Sequence, residues 1–163
     1  MVKKAAVTKE YTHNKESEIL ILGSLPSVKS REQMFFYGHP QNRFWKVIAA
    51  VLNETVPKNI EEKKAMLYRH HVALWDTIYS CDIIGSSDSS IKNVVPTDLK
   101  AIVKDSNVKR IFCNGKTSGT YFQKYQQKEL GIEAEVLPST SPANAAYSVE
   151  RLVEIWKEKI GEM

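Results

Sequence analysis

Four short apolar runs, each closed by a residue that suits a loop, set the strongest limit on how this chain can fold. SEILILGS (17–24) ends at a glycine, HVALWD (71–76) leads to Asp76, VKRIFCNG (108–115) is bounded by Asn114 and Gly115, and EAEVLP (133–138) closes on a proline. Short apolar runs between turn signals are the pattern of strands buried in a sheet. Between them the period changes. From Phe44, apolar residues recur at Val47, Ile48, Val51 and Leu52, the spacing of one helical face. Residues 57–70 predict another helix, TSGTYFQKYQQKEL (117–130) a third, and Val149, Leu152, Val153, Trp156 and Ile160 an amphipathic terminal helix able to cover a sheet. The chain therefore reads as α/β. The polar stretch CDIIGSSDSSIKNVVPTDLK (81–100) is expected as a surface excursion that joins other strand-end loops around one crevice.

At 163 residues the chain is expected to form a single domain, 1–163, with a substantial core. No apolar run is long enough to span a bilayer, and the Lys-rich start lacks the continuous apolar segment of a signal peptide, so no membrane association and a cytoplasmic location are expected. Cys81 and Cys113 form no CxxC pair, and Cys113, within RIFCNG, reads as a small core residue. The 23 Lys plus Arg exceed the 19 Asp plus Glu by a formal charge of +4. That excess suits contact with nucleic acid only where the charges share a face.

Several chemistries lack their motifs. No GxxxxGK[ST] loop is present, and GSLPS is no dinucleotide fingerprint. His13, His39, His70 and His71 lack zinc-ligand spacing, with His70 and His71 expected at a helix-to-strand boundary. Three segments stand out together: GSLPS (23–27), GHPQNRFW (38–45) and LPSTSPAN (137–144). The first and third follow inferred strands and combine serine with proline, which favours constrained turns with exposed backbone donors. In the second, Pro40 disfavours helix at His39 while Gln41 onward can propagate one, giving a formed loop that leads into a helix.

These three segments resemble the active-site loops and recognition segment of the uracil-DNA glycosylase superfamily, especially its hypoxanthine-DNA glycosylase branch. The resemblance runs from about Ile19 through the terminal helix, and GHPQNRFW ahead of an amphipathic helix is its most specific part. It implies a three-layer α/β/α sandwich around a short, mainly parallel four-stranded sheet. It also implies hydrolysis of the N-glycosidic bond of deoxyinosine in double-stranded DNA with no metal or organic cofactor, and a monomer is the default expected of one compact domain. Two alternatives stand: a mismatch-specific uracil/thymine glycosylase, and a noncatalytic module that binds damaged DNA.

Two departures bear on mechanism. Leu25 occupies the place where many members of the superfamily carry an Asp or Asn that positions water, and Leu137 the place where many uracil-specific relatives carry His. Asn42 is then the family-matched catalytic candidate, expected to orient water with its carbonyl oxygen while its amide donates, against the alternative of a helix cap. The base-pocket or loop candidates are Gly23, Ser24, Leu25, Phe36, Tyr37, His39, Asp76 and Asn114. Of the three aromatics Phe35, Phe36 and Tyr37, the latter two are better placed to stack on an extruded base, the alternative being packing of the loop. His39 either binds the ligand or stabilises its loop, Asp76 either orients the base or serves as a cap, and Trp45 anchors the helix. Pro26, Ser27, Lys116, Ser139, Thr140 and Ser141 are the candidates for the DNA backbone, with an ordinary exposed turn as the alternative for Lys116.

Overall fold

The computed structural model describes residues 3–6, 15–25, 36–84 and 87–161. Pro26, Ser27 and Phe35, named above as candidates, lie outside these residues. The described residues form seven strands: β1 Lys3–Ala6, β2 Ile19–Gly23, β3 Val72–Asp76, β4 Ile78–Ile83, β5 Lys92–Pro96, β6 Arg110–Asn114 and β7 Ala134–Leu137. The helices are α1 Phe44–Val51, α2 Ile60–Arg69, α3 Lys100–Lys104, α4 Lys116–Tyr125, α5 Gln127–Leu130 and α6 Val149–Ile160.

The four predicted apolar runs make one parallel sheet in the order β3-β2-β6-β7. Strand β2 is central and buried at every residue, and its alternate side chains enter two different cores. Ile19 and Ile21 join Phe44, Ile48, Met66, Leu67, Leu152 and Trp156 on the side of α1, α2 and α6. Leu20 and Leu22 join Ile102, Ile111, Cys113 and Phe122 on the side of α3 and α4. The result is the expected α/β/α sandwich, with Cys113 a fully buried core residue.

Side-chain caps fix two helix starts. Asn59 accepts from Glu62 N at 2.8 Å ahead of α2, and Ser148 from Arg151 N at 3.1 Å ahead of α6. His70 and His71 fall between α2 and β3 as expected, His71 at φ 60°.

Two elements differ from the sequence reading. Residues 81–100 are not an excursion alone: they carry the end of β4 and all of β5, which form an antiparallel sheet in the order β1-β4-β5. β5 is almost wholly exposed, so it has no burial alternation to reveal it. The helix expected over 117–130 is broken at Gln126, whose backbone leaves the helical region while its Nε2 donates to Thr77 O, Thr97 O and Thr97 Oγ1 at 3.0–3.1 Å. A buried amide committed to three oxygens of the neighbouring ribbon outweighs one more turn of helix.

Candidate active site

The four parallel strands end level with one another. Gly23 pairs with Asp76, and Asn114 with Leu137, in the strand register. The strand order reverses between β2 and β6, since β3 is added on one side of β2 and β6 on the other, and the carboxyl edge beside such a switch point is where open α/β sheets bind ligands. A cleft of about 930 Å³ opens there. It is lined by Gly23, Ser24, Leu25, Phe36, Tyr37, His39, Asn42, Asp76, Asn114, Lys116, Ser139, Thr140 and Ser141, so every described candidate comes to one place. Ile83 and Asp88 bring the 81–100 segment to the same rim, where Asp88 accepts from Thr117 Oγ1 at 2.8 Å at the start of α4.

A chain of hydrogen bonds with a fixed direction crosses the cleft floor. Thr140 N donates to Asn114 Oδ1 at 3.0 Å, which assigns the Asn114 amide, and Asn114 Nδ2 donates to Thr140 Oγ1 at 3.0 Å. The Thr140 hydroxyl then donates to Asn42 Oδ1 at 2.9 Å. Phe44 N donates to the same Oδ1, also at 2.9 Å, and because an amino group cannot accept, this backbone donor assigns the Asn42 amide. Both carbonyl lone pairs of Asn42 are thereby engaged. Its Nδ2 is the polar end left without a partner among the described residues. The expected water on the carbonyl oxygen therefore meets an oxygen already held in local structure just ahead of α1, whose N-cap is Arg43, and the group left for a ligand is a donor.

Thr140 also departs from its expected place. It is fully buried, with its hydroxyl spent between Asn114 and Asn42, so it is no surface contact for phosphate. Ser139 and Ser141 are partly exposed, Ser139 Oγ accepting from Ser141 N at 3.1 Å. Lys116 is exposed on the rim at the first turn of α4, after Gly115 at φ 99°, and has no ionic partner among the described residues.

On the opposite wall, Gly23 fits between Asp76 and Tyr37. A Cβ on Gly23 would lie 2.6 Å from Asp76 Oδ1 and 3.0 Å from the Tyr37 hydroxyl. Asp76 is 4% exposed and its Oδ2 has no hydrogen-bond partner among the described residues, and burial pushes its carboxyl up to about 7. Burial first, then the Asp76 charge, holds the Tyr37 phenol far above its ordinary range, against a smaller opposing influence of the Asn114 side chain, which lies outside hydrogen-bond geometry. Tyr37 adopts φ 54°, uncommon for a residue with a side chain, and its ring stacks on Phe44 at 4.0 Å and 18°. Phe36 is 3% exposed and belongs to the first core although it reaches the cleft. Trp45 anchors α1 as expected, buried and donating from Nε1 to Phe36 O at 3.1 Å. His39 Nδ1 accepts from Gln41 N at 3.1 Å, which leaves the neutral ring its proton on Nε2.

The match to known proteins follows this geometry. The family model of the uracil DNA glycosylase superfamily matches residues 10–159. The chain belongs to the uracil DNA glycosylase superfamily. Among the relatives of this superfamily member is the hypoxanthine DNA glycosylase of Methanosarcina acetivorans, 34% identical over 140 residues that cover 85% of this chain and 87% of that one. The hypoxanthine DNA glycosylase of Methanosarcina barkeri is 34% identical over 134 residues, covering 80% and 83%. A solution NMR structure of a candidate uracil DNA glycosylase from Methanosarcina acetivorans superposes with a TM-score of 0.78 at 31% identity over 94% of each chain.

Sequence reasoning missed one residue of this superfamily site. Arg43 donates to the main-chain carbonyls of Thr140, Ser141, Asn144 and Tyr147. Its partners carry no side-chain signature, so only its position beside Asn42 hinted at it.

Proposed function

We propose that this protein is a monofunctional DNA glycosylase that hydrolyses the N-glycosidic bond of deoxyinosine, releasing hypoxanthine and leaving an abasic site. The observation that carries the reading is the directed hydrogen-bond chain that ends on the Asn42 amino group inside the cleft, in a chain about one third identical to two hypoxanthine DNA glycosylases over most of its length. Hypoxanthine presents acceptors at O6, N7 and N3, and the cleft offers Asn42 Nδ2 and the His39 Nε2–H as donors, with Asp76 a third when its carboxyl is protonated. As the C1′–N9 bond stretches, positive character develops on deoxyribose and negative character on the base. Donors already fixed toward the base stabilise that charge at little cost in reorganisation. Water then adds to C1′ and the base leaves with a proton.

The nucleotide must leave the stack for this chemistry, and Tyr37, already seated on Phe44, is the ring we assign to meet the extruded base. Lys116, Ser139 and Ser141 on the rim are the groups we assign to the DNA backbone. The reading implies a monomer acting on duplex DNA in the cytoplasm, with no cofactor in the reaction. Leu25 is partly buried against the small core of β4, so the first loop supplies no polar group for water at that position.

The test is incubation of the purified protein with labelled duplexes carrying deoxyinosine, deoxyxanthosine, deoxyuridine or a thymine mismatch, with abasic sites revealed by alkali. Product mainly from the inosine strand, lost in a folded Asn42→Ala variant, is expected. A larger uracil product would move the protein to the mismatch-specific uracil/thymine reading. Tight binding with no product would leave a noncatalytic damaged-DNA module.

A further inference from the structure

We propose that Arg43 is a positioning residue for excision: it holds the second active-site loop in register with Asn42 without meeting the substrate. The inference rests on the glycosylase reading above. Arg43 follows Asn42 directly, yet it is not among the residues lining the cleft. Its backbone N donates to Thr140 O at 3.1 Å and its Nε to the same oxygen at 3.3 Å. Nη2 donates to Ser141 O at 2.7 Å and Asn144 O at 3.0 Å, and Nη1 donates to Tyr147 O. Each partner is a main-chain carbonyl, about a hundred residues away in sequence, and all belong to one loop.

A guanidinium has five N–H bonds in a planar fork, and here its donors point into the loop, so little remains for a phosphate. Among the described residues the loop's other ties are short-range, such as Asn144 Nδ2 to Ser139 O at 2.9 Å, apart from Asn114 at Thr140, Thr140 Oγ1 to Asn42 Oδ1 and Trp156 Nε1 to Pro138 O at 2.9 Å. Arg43 therefore fixes the Thr140 carbonyl from behind while the Thr140 hydroxyl reaches forward to Asn42 Oδ1. Without the guanidinium, Thr140 O keeps the Arg43 backbone N–H, but Ser141, Asn144 and Tyr147 lose their anchor, so the loop can shift the Thr140 hydroxyl off Asn42 Oδ1 and the Asn42 amide can rotate away from its donor orientation. A lysine ammonium cannot span four carbonyls and does not replace it.

The experiment compares wild type, Arg43→Ala, Arg43→Lys, Thr140→Val and the Arg43→Ala/Thr140→Val double variant, all as full chain, in single-turnover cleavage of a deoxyinosine duplex at saturating enzyme. Each Ala or Val single variant is expected to lose roughly thirtyfold or more in the excision step. The double variant is expected within about threefold of the slower single, because both changes break the same path. Arg43→Lys should recover less than about a tenth of the wild-type rate. The slope of log affinity against log salt should not change, whereas loss of a phosphate contact would reduce it by about one.

Additive losses, a wild-type rate in Arg43→Lys, or a reduced salt slope would overturn the proposal. Should Arg43→Ala fail to melt cooperatively, Arg43→Lys decides alone. Should the wild-type protein release no base, the glycosylase reading fails separately. Arg43 is then judged by the Asn42 side-chain amide resonances, assigned by their loss in Asn42→Ala: a shift in Arg43→Lys supports the positioning role, and an unmoved pair ends it.

Discussion

Asn42 separates two accounts of what an asparagine does in such a site. If its carbonyl oxygen held the attacking water, Asn42→Asp would keep that oxygen and gain basicity. With the oxygen already taken by Phe44 N and Thr140 Oγ1, only the amino group can serve a ligand, and Asp lacks it. Asn42→Asp is therefore expected to lose as much single-turnover excision as Asn42→Ala, about a hundredfold or more, the scale on which removal of one preorganised donor acts. An aspartate variant that retained most of its activity would restore the water-holding account. The motif made Asn42 legible in sequence, and its neighbours less so. Nothing in a Ser-Thr-Ser loop tells which hydroxyl is buried, so Thr140 reads as a surface contact until the fold places it under Asn42. Gly23 is also settled only in three dimensions, because the atoms that exclude a Cβ there come from Asp76 and Tyr37, distant in sequence.

The elements divide by how they are buried. β2, β3 and β6 announce themselves because buried strands concentrate apolar residues, whereas the half-exposed edge strand β7 is read from its flanking turn signals and β5 is exposed and carries no such pattern. The break at Gln126 is equally silent, since its bonding partners Thr77 and Thr97 flank β4 and β5, distant in sequence. One contact between elements can be tested directly. α4 packs against β7 through Gly119, where an added Cβ would come within 2.5 Å of Val136 Cγ2. Gly119→Ala should destabilise the fold by about 1–3 kcal/mol, despite the higher helix propensity of alanine. Val136→Ala removes the clashing methyl from a side chain that is already 49% exposed, so it should cost little alone. The double variant should recover most of the loss in thermal melts, and failure to do so would place the strain elsewhere.

At the scale of the whole molecule, a carboxyl buried at the sheet's carboxyl edge ties stability and catalysis to the same proton. Asp76 is raised to about 7 in the folded protein from an ordinary value of 3.8. Between these values the native state binds more protons than the unfolded chain, so stability falls as pH rises through this window and the loss is complete above about 7. Glu54, partly exposed beside Arg69 and His70, has its carboxyl shifted the other way, so its effect lies on the acid side and does not imitate this one. Asp76→Asn keeps the shape and removes the charge. At pH 8 it should therefore be more stable than wild type, by on the order of 2–4 kcal/mol at most, with the advantage vanishing near pH 4. Catalysis should fall with the same ionisation. If neutral Asp76 donates to the base, wild-type excision declines as pH passes about 7, while Asp76→Asn, whose amide donates at every pH, shows no such decline from this group. The two profiles are measured on the same preparations. A variant with higher stability at pH 8 and an unchanged pH–rate profile would leave the buried carboxyl as a cost to the fold with no part in the chemistry, and would shift the recognition of O6 and N7 to Asn42 and His39 alone.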